Sequence, residues 1–264
     1  MIFATDLDRT IIYSKRFVHD NMPQVQSVEN INGSEISYMT KTSLYLIQNL
    51  LNQDIVTLIP VTARSKDEFA RIHFLYNLGL KYIIVNNGGS IFIDGKEDKY
   101  WKEHIQKQVQ QFKMSHAEIL NKYLDTFGFN SLKKFTLVDK LVRVISLKNK
   151  LDKKKLNEFT KYAHSHGWKI SYNGKKIYIM PEFINKWSAL EYVRDKYLNG
   201  KKIISSGDSD LDLDMVTNAD IGIVPRHGNI IDYINTDKIE ITRNHGFLAG
   251  EEIIKRVFDL TTLE

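Results

Sequence analysis

Four short apolar runs in this chain each end in polar residues, and that recurrence restricts the fold more than any other feature of the sequence. The first run is Ile2-Phe3-Ala4, with Asp6-Leu7-Asp8-Arg9-Thr10 directly behind it. Such a run so close to the N-terminus reads as a buried strand, and two acids at its end are costly to bury unless they face a cation. The second run, Ile55 to Pro60, leads into Val61-Thr62-Ala63-Arg64. The third, Phe183-Ile184, passes through Asn185-Lys186 into a helical stretch, and the fourth, Lys202 to Ser206, is followed by Gly207-Asp208-Ser209-Asp210-Leu211-Asp212. Strands that alternate with helices predict a doubly wound, parallel α/β sheet. Ligands bind such open sheets at the carboxyl ends of the strands, which is where these polar residues fall.

In chain order the four ends supply Asp-x-Asp-x-Thr, Thr, Lys and Gly-Asp-x-x-x-Asp. Each has an ordinary reading when taken alone: a turn cap, a β-branched strand end, a solvated lysine. Together they make a kit for metal-dependent phosphoryl transfer. A carboxylate that attacks phosphorus forms an aspartyl-phosphate and splits one displacement into two, so Asp6 is the candidate nucleophile. Asp8 is the candidate acid and base for the leaving oxygen and the attacking water. The Thr62 hydroxyl and nearby backbone N–H groups are placed to hold phosphoryl oxygens. Lys186 supplies a compact positive charge. Asp208 and Asp212 lie one helical turn apart and return to one face; Mg²⁺ takes one or two carboxylates together with water and phosphate oxygens. Asp210 and Asp214 read as solvated, or as the acidic first turn of a helix.

This motif set resembles the haloacid dehalogenase superfamily over essentially the whole chain. The resemblance implies a Rossmann-like α/β core, Asp6, Asp8, Thr62 and Lys186 as catalytic residues, and one Mg²⁺ held by Asp6, the backbone carbonyl of Asp8 and Asp208. Asp212 is then a further ligand or a support. The candidate phosphate contacts are Leu7, Thr62, Ala63, Arg64, Asn87, Gly88, Lys186 and Ser209. Arg64 has an alternative in an ion pair with Asp67 or Glu68. Two positions depart from the family pattern, since glycine is common at the position of Arg9 and frequent at that of Trp187. For Arg9 a surface or structural role is expected, because arginine stems readily cover apolar surface; the alternative is a second anionic group of the substrate.

Between the second and third motifs the strand–helix rhythm breaks. A flap hairpin around Asn32-Gly33, a helix over about 41–52, a second over about 66–78 and the strand Tyr82 to Val85 come first. A glycine-rich turn and a short hairpin follow. From there the pattern predicts a helix over about 103–126, strands over about 134–138 and 141–147 joined by Asp139-Lys140, a helix over about 151–166, and strands over about 169–172 and 176–179 joined by Asn173-Gly174. The order α-β-β-α-β-β implies an inserted α+β domain over 91–180, with a catalytic core formed by 1–90 and 181–264. It resembles the compact form of the superfamily's large cap, found in sucrose-phosphate, trehalose-phosphate and mannosylglycerate-phosphate phosphatases and in eukaryotic phosphomannomutases.

The function so implied is a Mg²⁺-dependent phosphatase of a small phosphorylated metabolite, a sugar phosphate above others. The alternatives are a phosphomutase, which would use the same residues, and a phosphate-binding module without catalysis. A third comes from the Asp-Leu-Asp-Arg-Thr variant, which is similar to a branch found in bacterial stress-response and tellurite-resistance gene clusters and would imply a nucleotide-like phosphate. Composition fits an enzyme of this kind. The 264 residues suffice for a good core, and no apolar run is long enough to span a bilayer. No secretory leader is visible, and a cytoplasmic location is expected. The absence of cysteine excludes disulfides and thiol chemistry. The formal charge of +5 comes from scattered lysines, denser around Lys148–Lys155 and Lys169–Lys176; such runs are solvated faces, and no nucleic-acid partner is expected. His164, His166, His227 and His245 show no metal-ligand spacing.

Overall fold

A computed structural model describes residues 1–18, 22–138, 141–173, 175–234 and 237–262. The Asp139-Lys140 joint and Gly174 of the second hairpin turn lie outside these residues. Two compact units are formed, one by Met1–Asp98 with Asn185–Glu264, the other by Lys99–Ile184.

The chain opens with β1 (Ile2–Thr5), a short β2 (Tyr13–Ser14) and the hairpin β3 (Val25–Ile31) and β4 (Ser34–Thr40). Helix α1 (Lys41–Asn52) starts where the Thr40 hydroxyl accepts the Ser43 N–H at 3.0 Å, and it buries Leu44, Ile47 and Leu50 along one stripe. Next come β5 (Thr57–Pro60), α2 (Lys66–Ala70), α3 (His73–Asn77), β6 (Tyr82–Val85), β7 (Ser90–Ile93) and β8 (Lys96–Glu97). The single helix expected over 66–78 is therefore two short ones, separated where Ile72 leaves helical geometry (ψ 77°).

The second unit contains α4 (Lys99–Gln111), α5 (His116–Phe127), β9 (Leu132–Val138), β10 (Val142–Leu147), α6 (Lys153–Ser165), β11 (Trp168–Asn173) and β12 (Lys176–Pro181). Here too one expected helix is divided. The stretch expected over 103–126 breaks because Ser115 and Glu118 form a capping box that starts a new helix, with the Glu118 N–H on Ser115 Oγ at 3.3 Å and the Ser115 N–H on Glu118 Oε2 at 2.7 Å. The four strands form an antiparallel sheet in the order β11-β12-β10-β9. Ile119, Tyr123, Phe159 and Ala163 from the helices meet Ile145, Leu147, Trp168, Ile177 and Ile179 from the strands in a core of their own.

The first unit resumes with α7 (Lys186–Tyr197), β13 (Ile203–Ser206), α8 (Leu213–Asn218), β14 (Ile221–Val224), β15 (Ile239–Ile241) and α9 (Gly246–Thr262). Its main sheet is parallel, in the order β15-β14-β13-β1-β5, and a parallel bridge from Val61 to Ile84 carries it on to β6. Side chains alternate across a strand, and both faces are covered here. Phe3, Leu58 and Ile204 join Ile47 of α1 and Ile253 and Val257 of α9 in one core, while Ile2, Ala4 and Ile203, pointing the other way, are fully buried as well. Burial on both faces is what parallel sheets require. The register then sets the site. Thr5 pairs with Ser206 on one side and Pro60 on the other, so the residues that follow, Asp6, Gly207 and Val61, emerge side by side on strands about 4.8 Å apart.

Candidate active site

Asp6 leaves the end of β1 and is 6% exposed. Its Oδ1 accepts a hydrogen bond from Lys186 Nζ at 2.6 Å and its Oδ2 one from the Thr10 hydroxyl at 3.1 Å. Lys186 is the first residue of α7, whose N-cap Asn185 accepts the Ser188 N–H. The helix start is pressed close by Gly88, which takes a left-handed φ of 95° and has the Asn185 carbonyl where a Cβ would be. Gly88 thus serves the seating of Lys186. The ammonium, 1% exposed, donates a second hydrogen bond to Asp212 Oδ1 at 2.5 Å.

Asp212 caps the short helix α8 and is fully buried. Its Oδ2 accepts from the Ser209 N–H and hydroxyl at 2.9 and 2.8 Å. This approach depends on Gly207, where an added Cβ would lie 2.3 Å from that of Asp212. Asp208 is 4% exposed and faces the same space. One oxygen from each of Asp6, Asp208 and Asp212 lies within 4.8 Å of the others.

Burial is the largest influence on these acids, since it disfavours charge. It pushes the Asp6 carboxyl up to about 7 against the opposing pull of Lys186, with Asp212 adding to the rise. It pushes Asp208 up to about 8, helped by the negative charges of Asp6 and Asp212. For Lys186, burial alone would lower the ammonium; the two carboxylates outweigh it and hold it above its ordinary value. Three buried acids around a single ammonium thus leave an excess of negative charge. The donors are all hard oxygens, the set that suits Mg²⁺.

Asp8 lies apart from this cluster, and its side chain is 55% exposed. Arg64 grips it through two hydrogen bonds, Nε to Oδ2 at 2.7 Å and a terminal nitrogen to Oδ1 at 2.8 Å. The same guanidinium donates to both oxygens of Glu29 at 2.8 and 3.0 Å. Glu29 is buried and also accepts the Ser37 hydroxyl at 2.6 Å. It sits on β3 between two register shifts of the β3–β4 hairpin, and such bulges re-aim a side chain. The Arg64 side chain, expected on phosphate or on Asp67 or Glu68, is therefore committed to Asp8 and Glu29, touching Glu68 through the backbone carbonyl at 3.4 Å. Glu29 had no signal in the sequence; a lone acid in a strand does not reveal a partner 35 residues away.

Thr62 is buried, with its N–H on the Ile84 carbonyl at 2.9 Å. Its Oγ1 accepts the Arg64 N–H at 3.1 Å, and a hydroxyl that accepts keeps its own proton to donate. Asn87, left-handed at φ 57°, donates its N–H to the Thr62 carbonyl. The Leu7 side chain belongs to the core, and its carbonyl accepts the Ile11 and Ile12 N–H groups. Ala63 is half-buried. Arg9 adopts a left-handed φ of 64°, and its Nε stands 3.4 Å from Asp208 Oδ2.

A family model described as haloacid dehalogenase-like hydrolase matches residues 9–229. The chain belongs to this family. No functionally curated protein matches it significantly. Among solved structures it is similar to the sucrose-phosphatase of Synechocystis sp. PCC6803, determined with sucrose and phosphate, at 16% identity and a TM-score of 0.69 over 99% of this chain and 98% of that one. A subclass IIB sugar phosphatase of the superfamily gives 11% identity and a TM-score of 0.64, covering 100% and 99%. A trehalose-6-phosphate phosphatase related protein gives 19% and 0.57, covering 100% and 99%. Likeness at these identities concerns the fold, a parallel core with an inserted α+β cap. Among the described residues of this haloacid dehalogenase-like hydrolase, no helix is long and apolar enough to cross a membrane.

Proposed function

We propose that this hydrolase is a Mg²⁺-dependent phosphatase of a small phosphomonoester, a sugar phosphate being the best-supported class. The observation that carries the reading is the buried ammonium of Lys186 set between Asp6 and Asp212, beside Asp208. A lysine seated on the candidate nucleophile draws that carboxyl toward its ionised form against burial, and it offsets the charge of an arriving phosphate. The sugar class is supported by the names of the sucrose- and trehalose-phosphate relatives.

In this reading an Asp6 oxygen forms a bond to phosphorus as the bond to the leaving oxygen breaks, and that oxygen takes a proton from Asp8. Water then attacks the same phosphorus, Asp8 takes up its proton, and the Asp6–phosphorus bond breaks to release phosphate. Arg64 fixes the direction of the Asp8 carboxyl. The Thr62 hydroxyl donates to a phosphoryl oxygen. Asp6, Asp208 and the Asp8 carbonyl would hold Mg²⁺, which when bound neutralises charge on the transferring group. Asp212, both of whose oxygens already accept hydrogen bonds, orients Lys186.

The deciding experiment is phosphate release from a panel of sugar phosphates, a nucleoside monophosphate and an aryl phosphate, with Mg²⁺ or with EDTA. Release from sugar phosphates with Mg²⁺ alone is expected; silence across the panel, or release indifferent to EDTA, would overturn the reading. Asp208→Asn is expected to raise the Mg²⁺ concentration needed for half-maximal rate by at least about tenfold; an unchanged titration removes Asp208 from the metal site. Glu29→Gln is expected to lower kcat by roughly 10- to 100-fold with KM little changed, since loss of orientation acts on the chemical step. Wild-type kcat in that variant would show that Asp8 needs no help from the hairpin.

A further inference from the structure

Beside the acidic cluster the first unit has an open cavity of about 420 Å³, lined among others by Arg9, Tyr13, Arg16, Phe17, His227 and Phe247. That volume falls within the range of small-molecule sites, roughly 300–1,000 Å³. Three features point to the chemistry of an occupant.

The first is aromatic surface. The Tyr13 ring makes edge contact with Phe17 at 6.1 Å and with His227 at 5.8 Å, and lies tilted against Phe247 at 4.9 Å. Tyr13 and Phe247 are buried and back the half-buried Phe17, whose ring is the aromatic surface open to a further ring. The second is charge. Arg9 and Arg16 line the space, and none of the described residues that line it is acidic. The seventeen-residue helix α9 begins there at Gly246, so its positive end adds to the field.

The third is strain. Arg9 holds a left-handed backbone conformation that glycine takes at no cost, and strained residues of this kind mark functional positions. The surroundings fix it. The Gly246 N–H donates to His227 Nδ1 at 3.2 Å, which puts the imidazole proton on Nε2, and that proton is donated to the Arg9 carbonyl at 2.8 Å. The side chain reaches past the His227 carbonyl, 3.4 Å from a terminal nitrogen. Its buried Nε makes no hydrogen bond among the described residues and is ion-paired with Asp208 Oδ2 at 3.4 Å.

From this we infer that the cavity is a binding site for an anion carried on a flat aromatic ring, with Arg9 and Arg16 receiving the charge and Phe17, backed by Tyr13 and Phe247, the ring. Binding there does not depend on the phosphatase reading. Arg9 belongs to both places, since the same side chain faces Asp208.

The test is calorimetric titration of the metal-free full chain with naphthalene-2-sulfonate, a ring-borne anion that no phosphatase can hydrolyse. Saturable one-to-one binding is expected, at least tenfold weaker for the uncharged naphthalene-2-sulfonamide. Arg16→Ala, at an exposed position, and Arg9→Gly, which relieves the backbone, should each weaken it at least fivefold. Asp6→Asn should bind as the wild type does. The inference fails if no saturable binding occurs, if both arginine variants bind unchanged, if the neutral probe binds equally well, or if Asp6→Asn tightens binding severalfold, which would place the probe in the acidic cluster.

Discussion

Asp6→Asn is expected to reduce phosphate release by at least about a thousandfold, the scale on which loss of a nucleophile is felt, while the protein stays folded. Asparagine keeps the size of the side chain and an oxygen to accept from Lys186 Nζ, now 2.6 Å from Asp6 Oδ1. What it lacks is the anionic oxygen that forms the bond to phosphorus. It also relieves like-charge crowding, because Asp208 feels Asp6 as the second-largest cause of its raised carboxyl, after burial. The variant should therefore melt no lower than the wild type in metal-free buffer at pH 7. Phosphate release with a melting scan beside it separates the outcomes: an active variant removes Asp6 as nucleophile, and an inactive variant that has unfolded says nothing about chemistry until an Asp6→Glu variant, folded or not, is scored in the same way.

Lys186→Met is expected to damage stability as well as turnover. Removing one partner from a buried ionic group leaves charge uncompensated, at a cost of about 3–5 kcal/mol, and here three acids share the loss. The pH dependence has a definite sign. Asp6 and Asp208 have ordinary carboxyl values near 3.8 and are raised in the folded protein to about 7 and about 8. Between those limits the folded chain binds more protons than the unfolded one, so stability falls as pH rises. Metal-free wild type should show this trend from about pH 4 to pH 8, and loss of the ammonium should steepen it. Mg²⁺ should flatten it, since a bound cation favours the ionised acids. Melting scans at pH 5, 6.5 and 8, with and without Mg²⁺, measure all of this; a slope of opposite sign, or one untouched by the substitution, would sink the account.

The strand ends were legible because each couples a short apolar run to a polar residue that the parallel register must place beside its neighbours. The motifs of Asp6, Thr62 and Asp208 follow β1, β5 and β13, which are adjacent in the sheet, and Lys186 reaches Asp6 from the start of α7. The helix break before Ser115 has a local signal too: Ser115-His116-Ala117-Glu118 is a capping-box sequence, set inside a periodic stretch that continues on both sides and masks it. The roles of Arg64 and Gly88 were not legible. Arg64 looks like a phosphate ligand until a bulged hairpin brings Glu29 to it, and Gly88 looks like a loop glycine until the Asn185 carbonyl is found against it. Both depend on contacts between segments far apart in the chain, which no local pattern encodes.

Strand β1 pairs with β13, which follows it by about two hundred residues in the chain. Asp6 must wait through nearly two hundred intervening residues for Lys186 and Asp208, while the inserted segment, with a core of its own, can order as soon as it has left the ribosome, as domains generally do. A nascent chain stopped short of α7 would carry a strand with one edge unpaired and an acidic site without its lysine. The acidic cluster is thus assembled only after the inserted segment has been made, when the last motif closes on the first.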